Sequence, residues 1–529
     1  MSRDAAPHEA PLPPRRVPAL DAATGAFVAL SGIYSLAMSG RDVRYFLAQG
    51  ADDAAYYLRV AENAARGLGY TFDGLAPTNG FHPLWAWLLT AVFRIAPLEP
   101  EPMIRLVWAI QSVLMTGAAW ILARLLRRTL GSWPAALGAV LFVGRLYYTG
   151  RGGMESALLL FLMALLLERA ERWRPVDGAG PALALGALVG LVMLARLDSV
   201  FVAGALAAGW ALGSARTRVR APALVGGAAA VLVLPYLLGN LRAFGHLVPI
   251  SGVLKSSFPH PGWHVGSWSI QGQDLLVLIA ATATGALLLV SRLLPEREPA
   301  PRLVRTLLPA LTAGALAHML YSALFMKWGV FSWHFVLMRL VLALALPALA
   351  ARFFAPRPGL RERAWAGGLV LLLLVSALPV IRRDWRSDSN DTWTTQAYEA
   401  ARWVRANTPE NTVIAMRDAG NFGYFSRRHV INTDGIVNTF AYQDSLAAGR
   451  FEGFLRSRGA TYFAHHAITS RPDITAGTYD SWTFESYSHQ FDRPGGTLTL
   501  RRVDEVYRSR PYHEEGRLCV FLIWRLPAP

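Results

Sequence analysis

Eleven apolar runs separated by arginine-bearing connections fill the first 384 residues, and they leave such a chain few folds to choose from. The runs lie near 22–39, 104–124, 133–150, 154–169, 181–196, 199–213, 222–240, 274–291, 306–325, 333–351 and 364–381. Most approach the roughly 20 residues that cross a hydrocarbon core as a helix. Only 17% of the chain is charged and 53% is hydrophobic, whereas soluble domains carry about 25% charge. The expected fold class is a polytopic α-helical membrane protein. Residues 181–213 are short for two full spans and read as a hairpin that turns inside the bilayer.

Arginine sets the expected orientation. With the N-terminus inside, Arg3, Arg15 and Arg16 lie inside, then Arg124, Arg127 and Arg128, then Arg169, Arg172 and Arg174, and so on to Arg352, Arg357, Arg361 and Arg363. The short outer loops carry one or two basic residues each, the positive-inside pattern. The net charge of +16 would suit nucleic acid, but residues 385–529 hold 17 Arg against 16 acidic residues. The surplus therefore lies in membrane loops, and no nucleic acid partner is expected. Residues 1–21 read as a disordered cytoplasmic N-terminus and 22–39 as a retained signal anchor. One cysteine, Cys519, excludes an internal disulfide. No P-loop, Rossmann, zinc or EF-hand pattern occurs.

Residues 22–384 are thus expected to form the transmembrane domain, with 40–103 as one long first outer loop. Phe81 to Pro97 is apolar but broken by Pro83 and Arg94. Forced to span, it would invert every later loop, so it reads as an amphipathic helix at the interface. Residues 385–529 change character and are expected to form a soluble outer α/β domain. Thr395–Ala406 reads as helix; Thr412–Met416, His429–Thr433, Thr461–Ala464, Thr497–Arg501 and Leu518–Trp524 read as strands. Asn421–Tyr424 reads as a Gly-flanked loop, and Asn421, Tyr424 and Asp434 as exposed-loop candidates.

The outer loop carries Asp52-Asp53 at the start of a helical pattern. Aspartate caps a helix well, but a cap explains one carboxylate better than two. A carboxylate at a membrane surface can be a general base toward a hydroxyl, and a second can hold a divalent cation or orient the first. Asp52 and Asp53 are the candidate catalytic residues, with Asp53 a candidate ligand for Mg or Mn. Tyr57 follows on the same helix. Arg196 and Asp198 put charge inside a short apolar hairpin, where ionisable residues are costly and functional by default. The bland alternative is a pair that neutralises itself; the functional one puts Arg196 on a lipid phosphate. Lys255 and Lys327 are the only lysines among 52 basic residues, and both fall in expected outer loops. His82, Glu155 and His334 are weaker candidates: His82 could face an acceptor, and Glu155 could simply cap a span. Tyr147, Tyr148, Trp85 and Trp87 fit an aromatic interface belt.

Several blocks in order resemble bacterial GT-C glycosyltransferases, especially the branch that includes the actinobacterial arabinofuranosyltransferases. They are Asp52 to Asn63, Gly67 to Phe72, Pro77 to Trp85, Gly153-Met154-Glu155-Ser156, Leu194 to Asp198, Phe244 to Lys255, and Val413 to Asp418 through Asp434-Gly435. The resemblance covers most of the chain. It implies a GT-C-like transmembrane domain with a C-terminal extracytoplasmic domain in the bacterial cytoplasmic membrane. It further implies inverting transfer of a sugar from a polyprenyl-phosphate donor to a hydroxyl on a glycan, lipid or protein acceptor. By position Asp52 matches the family's catalytic carboxylate and Asp53 its second acidic position. Substrate contacts are expected from Arg196, Lys255, His82, Glu155, Asp198, Tyr57 and Lys327. Two other readings are kept: a transporter or flippase of lipid-linked sugar, and a ligase that moves a glycan en bloc.

Overall fold

The computed structural model describes residues 16–529 except 151, 175–177, 213–219, 271, 295–299, 354–366, 374, 376–377, 379–380, 383, 385–391, 469–470, 515–516 and 528–529. The first helices are α1 (Pro18–Met38), α2 (Val43–Gln49), α3 (Asp52–Ala65), α4 (Pro83–Ile95), α5 (Pro100–Leu130), α6 (Ser132–Gly150) and α7 (Ser156–Arg172). Next come α8 (Ala179–Ala195), α9 (Val200–Leu212), α10 (Arg220–Phe244), α11 (Ile250–Lys255), α12 (Gly272–Ser291), α13 (Leu308–Phe325) and α14 (Val336–Phe353). Ten of the eleven expected spans coincide with helices of this set. Of the eleventh, 364–381, residues 367–373, 375, 378 and 381 are described, and they are helical; the others lie outside the described residues.

Among the described residues, six helical segments are long and apolar enough to cross a membrane: Pro18–Met38, Pro100–Leu130, Pro222–Phe244, Gly272–Ser291, Leu303–Phe325 and Ser332–Phe353. Local sequence fixes their ends. Proline opens α5, where its missing N–H costs nothing, and Gly131 at φ 100° ends it. α8 stops at Arg196, whose backbone is extended, and a 3-10 turn, Leu197–Ser199, starts the way back into α9. The expected hairpin at 181–213 is therefore two short helices meeting at a non-helical corner. Within the bundle α8 lies on α10, α5 on α6 and α7, α14 on α6 and α12, and α13 on α9.

The C-terminal part is built on a six-stranded sheet, β1 (Val413–Met416), β2 (His429–Asn432), β3 (Tyr462–Ile468), β6 (Glu505–Arg508), β7 (Tyr512–Glu514) and β8 (Arg517–Arg525). A separate hairpin joins β4 (Ser481–Ser488) to β5 (Arg493–Arg501). The main order is β2-β1-β3-β8-β6, with β7 also on β8. β1, β2 and β3 run parallel, and β8 is antiparallel to β3. Cys519 to Trp524 of β8 is buried throughout, as a continuous apolar strand covered on both faces should be. All five expected strands and the expected helix (here Trp393–Asn407) are present. The expected loop at Asn421–Tyr424 is instead the middle of a helix, Gly420–Ser426, and Asn421, Tyr424 and Asp434 are buried, not exposed.

Loop 40–103 is clamped between bundle and sheet domain. α3 packs on α4 and on helix Gly420–Ser426. Thr78 Oγ1 donates to Asn438 O at 3.0 Å, His429 Nδ1 lies 2.7 Å from Asp73 O, and Arg427 pairs with Glu62. Trp85 is buried, with its indole N–H on Gly153 O at 3.1 Å, and Tyr147 is buried against Thr116. Of the four expected belt aromatics, Trp87 is exposed and Tyr148's side chain lies outside the described residues.

Gly80 makes the tightest seam contact. A Cβ there would stand 1.8 Å from Ile436 O. Gly80→Ala should therefore push loop and sheet domain apart, costing about 1–3 kcal/mol. The expected readout is a lower Tm together with faster proteolytic release of the C-terminal domain; an unchanged Tm would show that the seam yields freely.

Candidate active site

The site begins at α3, whose first turn holds Asp52 and Asp53, at the helix end that favours negative charge. Successive residues of a helix point about 100° apart, and the pair diverges accordingly. Asp52 turns to the sheet domain, where Oδ2 and Oδ1 accept the backbone N–H groups of Gly420 (2.8 Å) and Asn421 (2.7 Å). Asp53 faces a cavity of about 530 Å³, which Asp52 does not line.

This cavity collects seven of the nine residues singled out from the sequence: Asp53, Tyr57, His82, Glu155, Arg196, Asp198 and Lys255. His334 also lines it. Lys327 does not. Its ammonium donates to His489 O at 2.6 Å and lies 3.9 Å from Asp492, fastening the turn of the β4–β5 hairpin. The expectation that Lys327 sits by the phosphate site is thus corrected: the hairpin, unforeseeable from local sequence, captures it.

Each wall is held for a stated reason. Gly153 sits at φ 83°, and a Cβ there would stand 2.6 Å from the Ala54 Cβ. Gln111 grips this turn at both ends, donating to Met154 O (2.7 Å) and accepting from Gly153 N–H (3.1 Å). Glu155 follows directly, just before α7. At the α8–α9 corner Arg196 forks onto Asp198 through Nε (3.2 Å) and Nη2 (2.6 Å). Its Nη1 donates to Trp333 O at 2.7 Å and lies 3.4 Å from Glu155 Oε1. The Arg196–Asp198 pair thus forms, as the self-neutralising reading expects, and both residues line the cavity. Glu155 is 1% exposed, and its Oε2 has no hydrogen-bond partner among the described residues.

The Tyr57 hydroxyl accepts the His82 N–H at 3.2 Å, and the Leu197 N–H donates to His82 Nδ1 at 3.4 Å. An accepting Nδ1 requires no proton on that nitrogen, and burial lowers the His82 pKa in the same sense. Burial pushes the Asp53 carboxyl above its ordinary range. Lys255 opposes that shift, and Asp418 and Glu155 reinforce it. Lys255 has no carboxylate within ion-pair distance among the described residues. Apolar walls complete the space: Phe201, Val233, Leu237, Val248 and Tyr321.

Two participants escaped the sequence reading. His318 lies 3.4 Å from Asp198; a lone histidine in an apolar span was signal enough. Tyr56 bridges α3 to the sheet domain, receiving the Ala419 N–H at 3.0 Å and lying 3.2 Å from Asp434 Oδ2. Nothing local marks it.

No group of three or more His, Cys, Asp or Glu suited to a metal occurs among the described residues. Asp53, Glu155 and Asp198 line the cavity, and the expected Mg or Mn would be held there by one or two of these carboxylates with water and a substrate phosphate completing the shell.

Comparisons with known proteins place this geometry in a wider setting. Residues 386–512 match a family described as a domain of unknown function (DUF8728). A search of curated proteins by sequence found no match. Among solved structures, ArnT from Cupriavidus metallidurans bound to undecaprenyl phosphate superposes with a TM-score of 0.55 at 13% identity or less, here 12%, covering 94% of this chain and 97% of that one. The oligosaccharyltransferase AglB from Archaeoglobus fulgidus, in complex with an inhibitory peptide and a dolichol-phosphate, gives a TM-score of 0.55 at 13% identity, covering 90% and 75%. The Archaeoglobus fulgidus oligosaccharyltransferase in complex with Zn and sulfate gives 0.52 at 14%, covering 85% and 69%. At such identities the likeness is one of fold: a polytopic helical membrane protein of GT-C architecture with a C-terminal sheet domain.

Proposed function

We propose that this protein is a membrane glycosyltransferase that moves a sugar from a polyprenyl-phosphate donor to an acceptor hydroxyl, with inversion. One observation carries the reading: a single cavity joins a carboxylate, Asp53, to an ammonium outside ion-pair distance, Lys255, and to an apolar wall. The GT-C fold shared with proteins solved with undecaprenyl phosphate and dolichol-phosphate supports it. The partners are then a lipid-linked donor, an acceptor and the bilayer. The site would face the outer side of the bacterial cytoplasmic membrane.

In this mechanism Lys255, with the N–H groups of Arg196, receives the donor phosphate. Phe201, Val233 and Leu237 receive the prenyl chain. Glu155 Oε2, which has no partner among the described residues, accepts from a sugar hydroxyl. Asp53 takes the acceptor proton as its oxygen attacks the anomeric carbon from the face opposite the phosphate. The carbon–oxygen bond to phosphate breaks, and polyprenyl phosphate leaves on Lys255. The base thereby moves from Asp52, the expectation from family position, to Asp53, because Asp52 spends both oxygens on amides of the sheet domain. No step is routed through a metal. En bloc transfer of a glycan remains the second reading, favoured by the likeness to an oligosaccharyltransferase.

Transfer from synthetic polyprenyl-phosphate sugars to membrane acceptors tests this, with mono- and oligosaccharide donors compared side by side. Asp53→Asn should lose roughly 100- to 10,000-fold in rate. Asp52→Asn should lower Tm yet keep more transfer than Asp53→Asn; the reverse order would return the base to Asp52. The pH profile gives a second check. A base works deprotonated, so activity should fall as pH drops through the Asp53 pKa, at a limb above the ordinary carboxylate range. Lys255 lowers that pKa, so Lys255→Ala should move the limb to higher pH. An unmoved limb would mean that another group sets it.

A further inference from the structure

A second cavity, of about 310 Å³, lies where the start of α5 meets helix Trp393–Asn407 of the sheet domain. Glu99 and Glu101 line it from the α5 side, and Tyr398, Arg402 and Arg405 from the other helix, with Phe425 between them. Tyr398, Arg402 and Arg405 follow the spacing i, i+4, i+7, so they share one face of their helix. Phe425 is buried and meets the Tyr398 ring edge-on at 4.7 Å, and the Tyr398 hydroxyl donates to Glu101. None of these residues lines the cavity that holds Asp53 and Lys255.

The membrane passes close by. Pro100 is the first residue of a segment long and apolar enough to span, so the cleft sits where α5 leaves the hydrocarbon on the side of the sheet domain. The approach along the chain is apolar and bare: Ile95 is 84% exposed and Leu98 39%. Arg94 lies in the last turn of α4. Arg105 lies inside the span, about 8 Å along the axis from Pro100 and one turn from Glu101 on the same face. Neither arginine is ion-paired among the described residues, and Arg105 Nε is buried with no hydrogen-bond partner among them. An arginine within a span is costly unless something answers its charge. The cleft's own arginines are loosely held. Arg402 is 63% exposed and reaches Glu399 only at 3.9 Å, and Arg405 lies 3.4 Å from Glu99; a strong charge-assisted bond is about 2.8 Å. Arg427 also pairs with Glu99. In and beside the cleft, Arg94, Arg105, Arg402, Arg405 and Arg427 thus face Glu99, Glu101 and Glu399, and positive charge is in excess.

We propose that this cleft binds an anionic phospholipid of the leaflet next to the sheet domain, with its phosphodiester on Arg402 and Arg405, its acyl chains along Ile95 and Leu98, and Arg105 beneath the phosphate. A phosphodiester carries a full negative charge, and its paired oxygens match the planar guanidinium fork. A zwitterionic headgroup brings a cation of its own, which the excess positive charge disfavours. A soluble anion would gain nothing from the bare apolar approach, whereas acyl chains cover it. An arginine one turn inside a span reaches the headgroup layer by extending its stem along apolar surface. The cleft draws its walls from bundle and sheet domain alike, so an occupied cleft braces the joint between them. The proposal stands apart from the glycosyltransferase reading and needs no sugar donor.

Native mass spectrometry of the full-length protein in detergent tests this. The probes are phosphatidylglycerol and phosphatidylethanolamine with identical acyl chains, and glycerol 1-phosphate as the soluble headgroup. Wild type should hold phosphatidylglycerol about tenfold more tightly than phosphatidylethanolamine and take up no glycerol phosphate at the same concentration. Arg402→Gln changes an exposed side chain that closes no hydrogen bond among the described residues, so the fold should survive it. Arg402→Gln and Arg105→Gln should each weaken phosphatidylglycerol binding about tenfold. Arg456→Gln makes the same change of charge at an exposed pair with Glu452 elsewhere on the sheet domain and should stay within about twofold of wild type. Phosphatidylglycerol should also raise the Tm of wild type more than that of Arg402→Gln, since a ligand of the folded state stabilises it. No preference for phosphatidylglycerol, unchanged binding in either cleft variant, or an equal loss in Arg456→Gln would overturn the proposal. Glycerol phosphate bound as tightly as the lipid would overturn it too, by showing a site for a soluble anion.

Discussion

The two hydrogen bonds from Gly420 and Asn421 to Asp52 hold the functional geometry together. Helix Gly420–Ser426 has seven residues and no side-chain cap of its own, and helices of that length do not persist alone in water. Asp52 supplies the missing acceptors from another part of the chain. In return the sheet domain fixes the rotation of α3. Because adjacent helical residues diverge, anchoring Asp52 outward commits Asp53 to the cavity. Gly420 enforces the contact, since a Cβ there would stand 2.2 Å from Asp52 O.

Much of this was legible. Apolar length and arginine placement gave the helices, and the run Leu518–Trp524 gave the buried central strand. Residues that carry charge where charge is expensive, Arg196 and Asp198 above all, were found because the sequence offers no cheaper explanation for them. What could not be read is which Asp faces which way. The partner that decides it is 368 residues distant, and its segment, rich in glycine, looks like a loop until the cap arrives. Lys327 failed for the same reason: its partners belong to the β4–β5 hairpin. Trp85 and Tyr147 looked like interface residues because an aromatic with a polar tip suits either a membrane surface or a buried hydrogen bond, and composition does not distinguish the two.

The corner between α8 and α9 shows how the fold tolerates broken backbone among apolar spans. Non-helical segments survive at such depth only where protein or a cavity satisfies them. Arg196 does so by tying Asp198, Trp333 O and Glu155 into one cluster. Ion pairs so enclosed add little net stability but fix a geometry, here the orientation of two helices and the α7 entrance at once.

The solitary charge of Lys255 has a consequence for turnover. A glycosyl phosphodiester carries one negative charge, while the phosphate monoester left after transfer carries more at neutral pH. With no carboxylate neighbour within ion-pair distance among the described residues, a Lys255 working as proposed would attract the spent lipid more strongly than the loaded one. Empty carrier in the surrounding bilayer would then compete with the donor for the same ammonium.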